Sequence, residues 1–343
     1  MQRMIFALIV SLAIVLAAGP HVIPWLRKLK FGQTIYDLGP QSHKVKQGTP
    51  TMGGLMMGAS VLVTALIMHP AGWYGVNDFM LALLAVSILS MLVGFADDFI
   101  KVAKKRSLGL TPWQKIAGQV IIAVGFSTYC YLHPMVGPSI LIPFFNVEWN
   151  LDIFYIPLMS LVIIFMINSA NLQDGLDGLL SGVTVVGSVA WGAMALIFMG
   201  AVSAAGSAMM HDNYYAAAIF SMAVCGAAMG FLRFNHYPAG VFMGDTGSMF
   251  IGGATVGLAM LMRQPLMLLL IAFTMVMSSL SVIIQRIYFK ATHGKRIFKM
   301  SPIHHHFELS GYSETQICAM YAVVTGVLSL IAVLSLYGLQ LVK

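Results

Sequence analysis

The sequence predicts an all-α integral membrane protein whose helices cross the bilayer about ten times. Of the 343 residues, 59% are apolar and 9% are charged, and the mean hydropathy is +0.85. A soluble domain carries roughly a quarter charged residues, so water cannot be the main solvent of this chain. Helices are expected because open strand edges would leave backbone groups without partners in lipid.

Ten apolar segments, each long enough to approach the thickness of a hydrocarbon core, account for these spans. They cover residues 4–26, 52–69, 79–95, 116–133, 153–169, 178–199, 214–232, 248–262, 266–285 and 317–340. No long polar stretch separates them, so residues 1–343 are expected to form one membrane domain. The first segment also resembles a cleavable signal peptide. Arg27, Lys28 and Lys30 follow it directly and oppose translocation, so we expect it to be retained.

The basic residues predict the orientation of the chain. The loops expected on one side are 27–51, 96–115, 170–177, 233–247 and 286–316. They hold 16 of the 19 lysines and arginines, while the other side holds Arg3, Arg263 and Lys343. Cytoplasmic loops are enriched in basic residues, which places these loops in the cytoplasm and both termini outside. This placement also explains the net charge of +7 without nucleic acid as a partner.

Each of the five cytoplasmic loops contains a polar cluster. The first, residues 46–54, places Lys46 and Thr51 among glycines before an apolar segment. Backbone N–H groups at such a helix start can bind an anion, although the pattern also fits a plain loop.

The second cluster, residues 94–101, contains the adjacent acids Asp97 and Asp98. Adjacent carboxylates can hold Mg²⁺ or act as a base. Lys101 lies four residues after Asp97, so the two share a face of a helix. A surface ion pair would explain Asp97 but would leave Asp98 at the membrane edge. Lys115, further along the loop, fits either a phosphate contact or an interfacial anchor.

In the third cluster, Asn171, Asp174 and Asp177 recur every three residues. On a helix they would spread over about a third of its circumference. No basic residue is near them in sequence, so the acids imply a metal, a cation from another segment, or a substrate. Helix capping explains one of the acids but not both.

The last two clusters carry a further acid and three histidines. Asn235, Phe242 and Asp245 lie in a glycine-rich loop that suits a metal-bound phosphate or, alternatively, a helix N-cap. Residues 304–306 are consecutive histidines, which cannot all point the same way on a helix. Phosphate or ribose contacts, or a proton shuttle near neutral pH, therefore fit them better than one three-histidine metal site.

Oxygen ligands for a hard cation, together with lysines for phosphates, predict a phosphoryl-transfer site on the cytoplasmic side. Five motifs that contain glycines, acids or histidines follow one another along the chain. They are GTPTMGG (48–54), GFADDFIK (94–101), NLQDGLDGL (171–179), FMGDTGS (242–248) and SPIHHHFELSGYSETQ (301–316). With these motifs the chain resembles the polyprenyl-phosphate N-acetylhexosamine-1-phosphate transferases. The histidine motif followed by Phe-Glu resembles the branch that uses a muramoyl-pentapeptide donor.

The resemblance implies a role for each matching residue. It makes Asp245 the Mg²⁺ ligand, and Asp97 the base or the group that positions the acceptor phosphate, with Asp98 as the second acid of the pair. Catalysis would then rest on Asp97, Asp98, Asp245 and His304. Substrate contacts are implied for Lys46, Thr51, Lys101, Lys115, Asn171, Asp174, Asp177, Asn235, Phe242, His304, His305 and His306. Phe242 would stack on the uracil ring.

The resemblance also implies the reaction. UDP-MurNAc-pentapeptide would be the donor and undecaprenyl phosphate the acceptor, giving lipid I and UMP in peptidoglycan synthesis. The enzyme would be a Mg²⁺-dependent homodimer of the bacterial plasma membrane, surrounded by membrane lipids. A related transferase that uses UDP-GlcNAc is the first alternative. A transporter is the second, although it would place its buried acids near the bilayer midplane rather than at one face.

Overall fold

The computed structural model describes residues 1–28, 48–68, 77–104, 108–145, 147–204 and 207–336. It is mostly helical, as the sequence predicts. The longer helices are α1 (Gln2–Lys28), α2 (Gly54–Met68), α3 (Asp78–Ala103), α4 (Pro112–Leu132), α5 (Tyr155–Gln173), α6 (Leu179–Ala204), α7 (Ala208–Asn235), α8 (Gly244–Leu261), α10 (Phe273–Ala291) and α12 (Glu314–Leu334). Two short ones are α9 (Leu268–Ile271) and α11 (Ile303–Glu308). Strands β1 (Ser139–Ile142) and β2 (Val147–Asn150) form an antiparallel hairpin between α4 and α5.

Several helices begin where side chains satisfy their first N–H groups. Asn77 caps α3 by accepting from the N–H groups of Phe79 and Met80. Thr111 and Gln114 form a capping box at α4, with Pro112 in the first turn. Ser313 and Gln316 form another at α12. Such caps supply the partners that a helix start lacks.

In the part of the chain that the structure describes, each of the ten predicted apolar segments overlaps a helix. Within the described residues, seven helices are long and apolar enough to cross a membrane, or eight if one bent pair counts as a span. The chain is therefore a multi-pass membrane protein, and the count of ten spans stays a prediction.

Segment 266–285 is not the continuous helix that the sequence predicts. Pro265–Ile271 and Phe273–Ala291 meet at an angle of 89°. The backbone leaves helical geometry at Ala272, with φ −106° and ψ 22°. Uniform apolarity hides such a break, because a bend changes no residue's preference for lipid.

The core of the fold lies around α7, which is flanked by α1, α2 and α6. Of its most apolar window 78% is buried, compared with 22% for α1 and 28% for α12. Helices α1 and α7 pack closely because glycines face α1, where a Cβ on Gly226 would collide with the Leu8 carbonyl. Small residues allow this approach between helices in lipid.

Candidate active site

Helices α3 and α8 approach closely enough to bring three acids together. A Cβ on Gly94 of α3 would collide with the backbone of Asp245, at the start of α8. Further along, a Cβ on Gly253 would lie 2.9 Å from the Val86 carbonyl oxygen. The two glycines therefore set the distance between the helices. As a result, the last turns of α3 lie directly against the N-terminus of α8.

This contact creates a cluster of three carboxylates from distant parts of the sequence. One oxygen from each of Asp97, Asp98 and Asp245 lies within 4.8 Å of the others. Asp97 and Asp98 are buried, with 4% and 2% of their surface exposed. Carboxylates so close together and so poorly hydrated require cations.

Two lysines supply part of that positive charge. Lys101 Nζ lies 2.6 Å from Asp97, 3.5 Å from Asp98 and 3.2 Å from Asp245. Asp97 and Lys101 thus share a face of α3, as the sequence predicts, and they form an ion pair there. Lys115 Nζ, from the first turn of α4, lies 2.8 Å from Asp245. When all five groups are ionised, three negative charges face two positive ones.

The donor set suits a divalent cation. Its ligands are carboxylate oxygens, which hard cations such as Mg²⁺ and Ca²⁺ prefer. The uncompensated negative charge favours such an ion, and a bound ion would share the carboxylates with Lys101. We call Asp97, Asp98, Asp245, Lys101 and Lys115 the carboxylate site.

Backbone and side-chain hydrogen bonds fix the orientation of the carboxylates. Asp98 Oδ2 accepts from the N–H and the hydroxyl of Thr246, at 2.9 and 2.7 Å. This leaves Oδ1 on the side of Lys101. Asp97 Oδ1 accepts from the Leu110 N–H at 2.9 Å, which ties the loop before α4 to α3. Gly244 precedes Asp245 with φ +74°, and a side chain there would meet Asp98 Oδ2.

Asn171 extends the carboxylate site from α5. Its Nδ2 donates to Asp245 Oδ1 and to Ser248 Oγ, both at 2.9 Å. Its Oδ1 accepts from Lys115 Nζ at 3.2 Å. Asp245 is therefore contacted from α3, α4 and α5 and is the centre of the arrangement.

The spacing predicts that Asn171 and Asp174 lie on one helix. In the structure Asp174 lies just beyond the end of α5. The helix ends at Gln173, and a turn follows that contains Gly175 and Gly178, the latter at φ +79°. Burial raises the pKa of Asp174 to about 8. The negative charges of Asp245, Asp98 and Asp177 raise this pKa further. A cation bound nearby would lower this pKa and favour the ionised form of Asp174.

Asp177 and Asn235 are buried and brace the loops around the site. Asp177 Oδ2 accepts from the Ala239 N–H at 2.9 Å, and its own N–H donates to Glu314 Oε2 at 3.0 Å. Asn235 Oδ1 accepts from the Gly178 N–H at 3.2 Å and from Ser181 Oγ at 3.0 Å. Any contact of these two residues with a substrate would come in addition to these internal bonds.

The three histidines point in different directions, as the sequence predicts. His304 in α11 is fully buried and lies against the turn after Asp174, where a Cβ on Gly175 would collide with its ring. His305 Nδ1 is 3.0 Å from Glu308 Oε2. His306 Nδ1 accepts from the Lys299 N–H at 3.1 Å. His304 is thus the histidine that belongs to the wall nearest Asp174.

Thr51 and Phe242 lie on two adjoining loops. The Phe242 N–H donates to the Pro50 carbonyl at 2.8 Å, and the Gly53 N–H donates to the Phe242 carbonyl at 2.9 Å. Thr51 is 8% exposed and reaches Gly244, next to Asp245. Lys46 lies outside the described residues.

The sequence analysis named most of the carboxylate site but missed supporting groups. Thr246 and Ser248 orient Asp98 and Asn171, and both stood in the same motif as Asp245. Glu314 holds the turn at Asp177, and it follows the histidine motif. Hydroxyls beside a predicted acid were a usable signal for the first two, whereas no sequence feature links Glu314 to Asp177.

Comparison with known proteins agrees with this arrangement. Residues 80–263 match the family described as glycosyl transferase family 4. The chain is 44% identical over 334 residues to the phospho-N-acetylmuramoyl-pentapeptide-transferase of Halalkalibacterium halodurans, covering 96% of each chain. It is 45% identical to the protein of that name from Bacillus cytotoxicus, covering 96% of this chain and 95% of the relative. With the Clostridioides difficile protein of that name, identity is 42% and coverage 97% of each chain.

Proposed function

This chain belongs to glycosyl transferase family 4, among the phospho-N-acetylmuramoyl-pentapeptide transferases, and we propose accordingly that it makes lipid I. The donor is UDP-MurNAc-pentapeptide and the acceptor is undecaprenyl phosphate. The observation that carries this proposal is the carboxylate site, where three acids and two lysines from α3, α4 and α8 converge. Such a site suits the transfer of a phosphorylated sugar between a diphosphate and a phosphate.

In the proposed reaction, an oxygen of the lipid phosphate attacks the donor phosphorus that carries the sugar. The bond from that phosphorus to the oxygen bridging to UMP breaks, and UMP leaves with the electron pair. A phosphate monoester has a second pKa near 6, so the acceptor is already largely ionised at neutral pH. Asp97 is therefore assigned to positioning the acceptor more than to removing a proton.

The charges of the site support these roles. Lys115 and Lys101 hold ammonium groups against Asp245, where a diphosphate would bring further negative charge. Mg²⁺, when bound by Asp245 and its neighbours, would supply positive charge for the diphosphate and the departing UMP. Asn171 holds Asp245 and Lys115 in place through one hydrogen bond to each.

Substrate contacts are assigned to the loops that surround the carboxylate site. Phe242 is assigned to the uracil ring, and Thr51, Asp174 and His304 to the donor. Lys46, Asp177, Asn235, His305 and His306 complete the proposed donor contacts. For Asp177 and Asn235, the position at the end of a connection between helices supports this assignment.

The membrane arrangement is part of the proposal. Residues 1–343 form one domain with ten spans, both termini lie outside, and the site faces the cytoplasm of a bacterial inner membrane. The excess of basic residues in the loops that carry the site supports this orientation. A reporter enzyme that works only outside the cytoplasm, fused after Lys343, should therefore be active.

The protein is also proposed to be a homodimer. The mass of the purified protein in detergent tests this.

Substrate choice tests the reaction itself. Purified protein is offered UDP-MurNAc-pentapeptide or UDP-GlcNAc, each with undecaprenyl phosphate and Mg²⁺. Lipid-linked product and UMP are expected with the first donor. Product from UDP-GlcNAc alone would instead support the related GlcNAc-1-phosphate transferase.

A further inference from the structure

A groove lies between α3 and α4 at the end opposite the carboxylate site. It has a volume of about 640 Å³. Leu81, Ala85 and Leu89 of α3 form one wall, and Ile121 and Phe126 of α4 form the other. Asp78 stands at the outer end of α3, about 28 Å from Asp97 at 1.5 Å per helical residue. The groove therefore opens toward the membrane face away from the site.

The floor of the groove is open at a glycine. An added Cβ on Gly125 would meet nothing within 4 Å. Leu81 and Ile121 at the rim are 50% and 75% exposed, as expected for side chains that face lipid. The walls thus form a channel in which an apolar chain would be in contact on several sides.

The outer end of the groove is polar and carries negative charge. Asp78 is exposed there, beside Tyr129 and His133. None of the twelve described lining residues is lysine or arginine. The ring centroids of Tyr129 and His133 are 5.4 Å apart, and the Tyr129 hydroxyl lies 3.5 Å from the Asp78 carbonyl oxygen.

A hydrogen bond to one ring nitrogen of His133 decides which nitrogen can donate. Its Nδ1 accepts from the Met135 N–H at 3.2 Å. In a neutral imidazole, an accepting Nδ1 places the proton on Nε2. The mouth of the groove therefore combines a carboxylate that attracts a cation with an imidazole N–H that can donate to a phosphate.

We propose that this groove binds one acyl chain of a phospholipid whose headgroup carries an ammonium group. The ammonium would pair with Asp78, while the phosphate would accept from His133 Nε2. The ring of Tyr129 would offer a further favourable surface to the cation. An anionic phospholipid would lack the ammonium and would bring net negative charge to Asp78. The site is thus selective for zwitterionic aminophospholipids of the leaflet opposite the carboxylate site.

The test measures lipid binding to the full-length protein by native mass spectrometry. Delipidated protein is titrated with phosphatidylethanolamine or phosphatidylglycerol of identical acyl chains. Wild-type protein should bind phosphatidylethanolamine roughly fivefold more tightly than phosphatidylglycerol, as expected for one partly exposed ion pair. Equal affinity for the two lipids would overturn the proposal.

Variants locate the binding at this groove. Gly125→Leu should remove the preference by filling the groove, and Asp78→Asn should remove it without filling the groove. The matched control is Gly200→Leu, at an exposed helical glycine where a Cβ also meets nothing within 4 Å. It should bind as the wild type does. A preference that persists in both Gly125→Leu and Asp78→Asn would show that the selective site lies elsewhere.

Discussion

The two ends of α3 show two ways of placing an acid at a membrane surface. At one end, Asp97 and Asp98 are buried, and they contact Lys101, the loop before α4 and the start of α8. At the other end, Asp78 is exposed and lines an apolar groove. At the first end the carboxylates are bound by groups from several segments, whereas at the second the Asp78 carboxylate stands at an open groove.

The difference follows from hydration. An exposed carboxylate keeps its water and needs no fixed partner, so its surroundings can remain apolar and open. A buried carboxylate without a cation costs several kcal/mol, so the surrounding helices must bring charges to it. We therefore expect substitutions at the carboxylate site to have large effects and substitutions at the opposite face to have small ones.

The largest effect is expected for Asp245→Asn. The change keeps the shape of the side chain but removes the charge that Lys101 and Lys115 contact. Turnover should fall on the order of 10³-fold or more, as for loss of a central electrostatic group. Binding of Mn²⁺ as a probe, followed by electron paramagnetic resonance, should weaken in parallel. Activity above a hundredth of wild type would remove Asp245 from the centre of the site.

A smaller but still large effect is expected for Lys101→Met in metal-free protein. Asp97 and Asp98 would lose their nearest cation, which should cost on the order of 3 kcal/mol of folding free energy. Thermal unfolding in detergent with EDTA measures this loss, and Mg²⁺ should restore much of it by taking over the charge. Lys104→Met is the control, because Lys104 is an exposed lysine at the C-cap of the same helix. Equal destabilisation by the two variants would argue against a shared role of Lys101 and the metal.

A pH-dependent effect is expected for Asp174→Asn. Because the pKa of Asp174 is raised from 3.8 to about 8, the folded protein keeps a proton that the unfolded chain releases. Wild-type stability should therefore decrease as pH rises from 4 to 8, by up to about 1.4 kcal/mol per pH unit. The asparagine variant lacks this contribution, so its melting temperature in EDTA should exceed that of wild type at pH 8 and approach it near pH 4. Parallel pH curves for the two proteins would contradict the raised pKa.

The smallest effect is expected for Glu148→Gln on the β-hairpin. Glu148 pairs with Arg263 at 2.7 Å, but its side chain is 56% exposed. Exposed ion pairs contribute roughly 0–1 kcal/mol, and Arg263 also holds the hairpin through the Ser139 carbonyl. Turnover should stay within twofold of wild type, and the melting temperature should change by less than about 4 °C. A larger loss would show that charges at this face are as tightly coupled as those at the carboxylate site.

Much of the site could be predicted from local sequence. Asp97 and Lys101 are one helical turn apart, so their pairing depends on α3 alone. Asp245 stood out because glycines and hydroxyls surround it at the start of an apolar segment. Asn171, Asp174 and Asp177 do not spread over one helix as their spacing predicts, because the chain leaves the helix after Gln173. Glycine at 175 and 178 favours that turn, but the contact with His304 that occupies the space at Gly175 is not visible in sequence.

The sequence by itself determined that the chain resides in a membrane, where its helices run, and which loops carry acids and lysines. These properties depend on composition and on short-range spacing, so they can be read from each segment without knowledge of its neighbours in space. Only the tertiary structure decided that Asp97, Asp98 and Asp245 share one cluster, that the segment after Pro265 bends, and that a groove opens beside Gly125. These features depend on how closely helices approach, which is set by glycines such as Gly94 and Gly253 meeting a backbone far away in the chain.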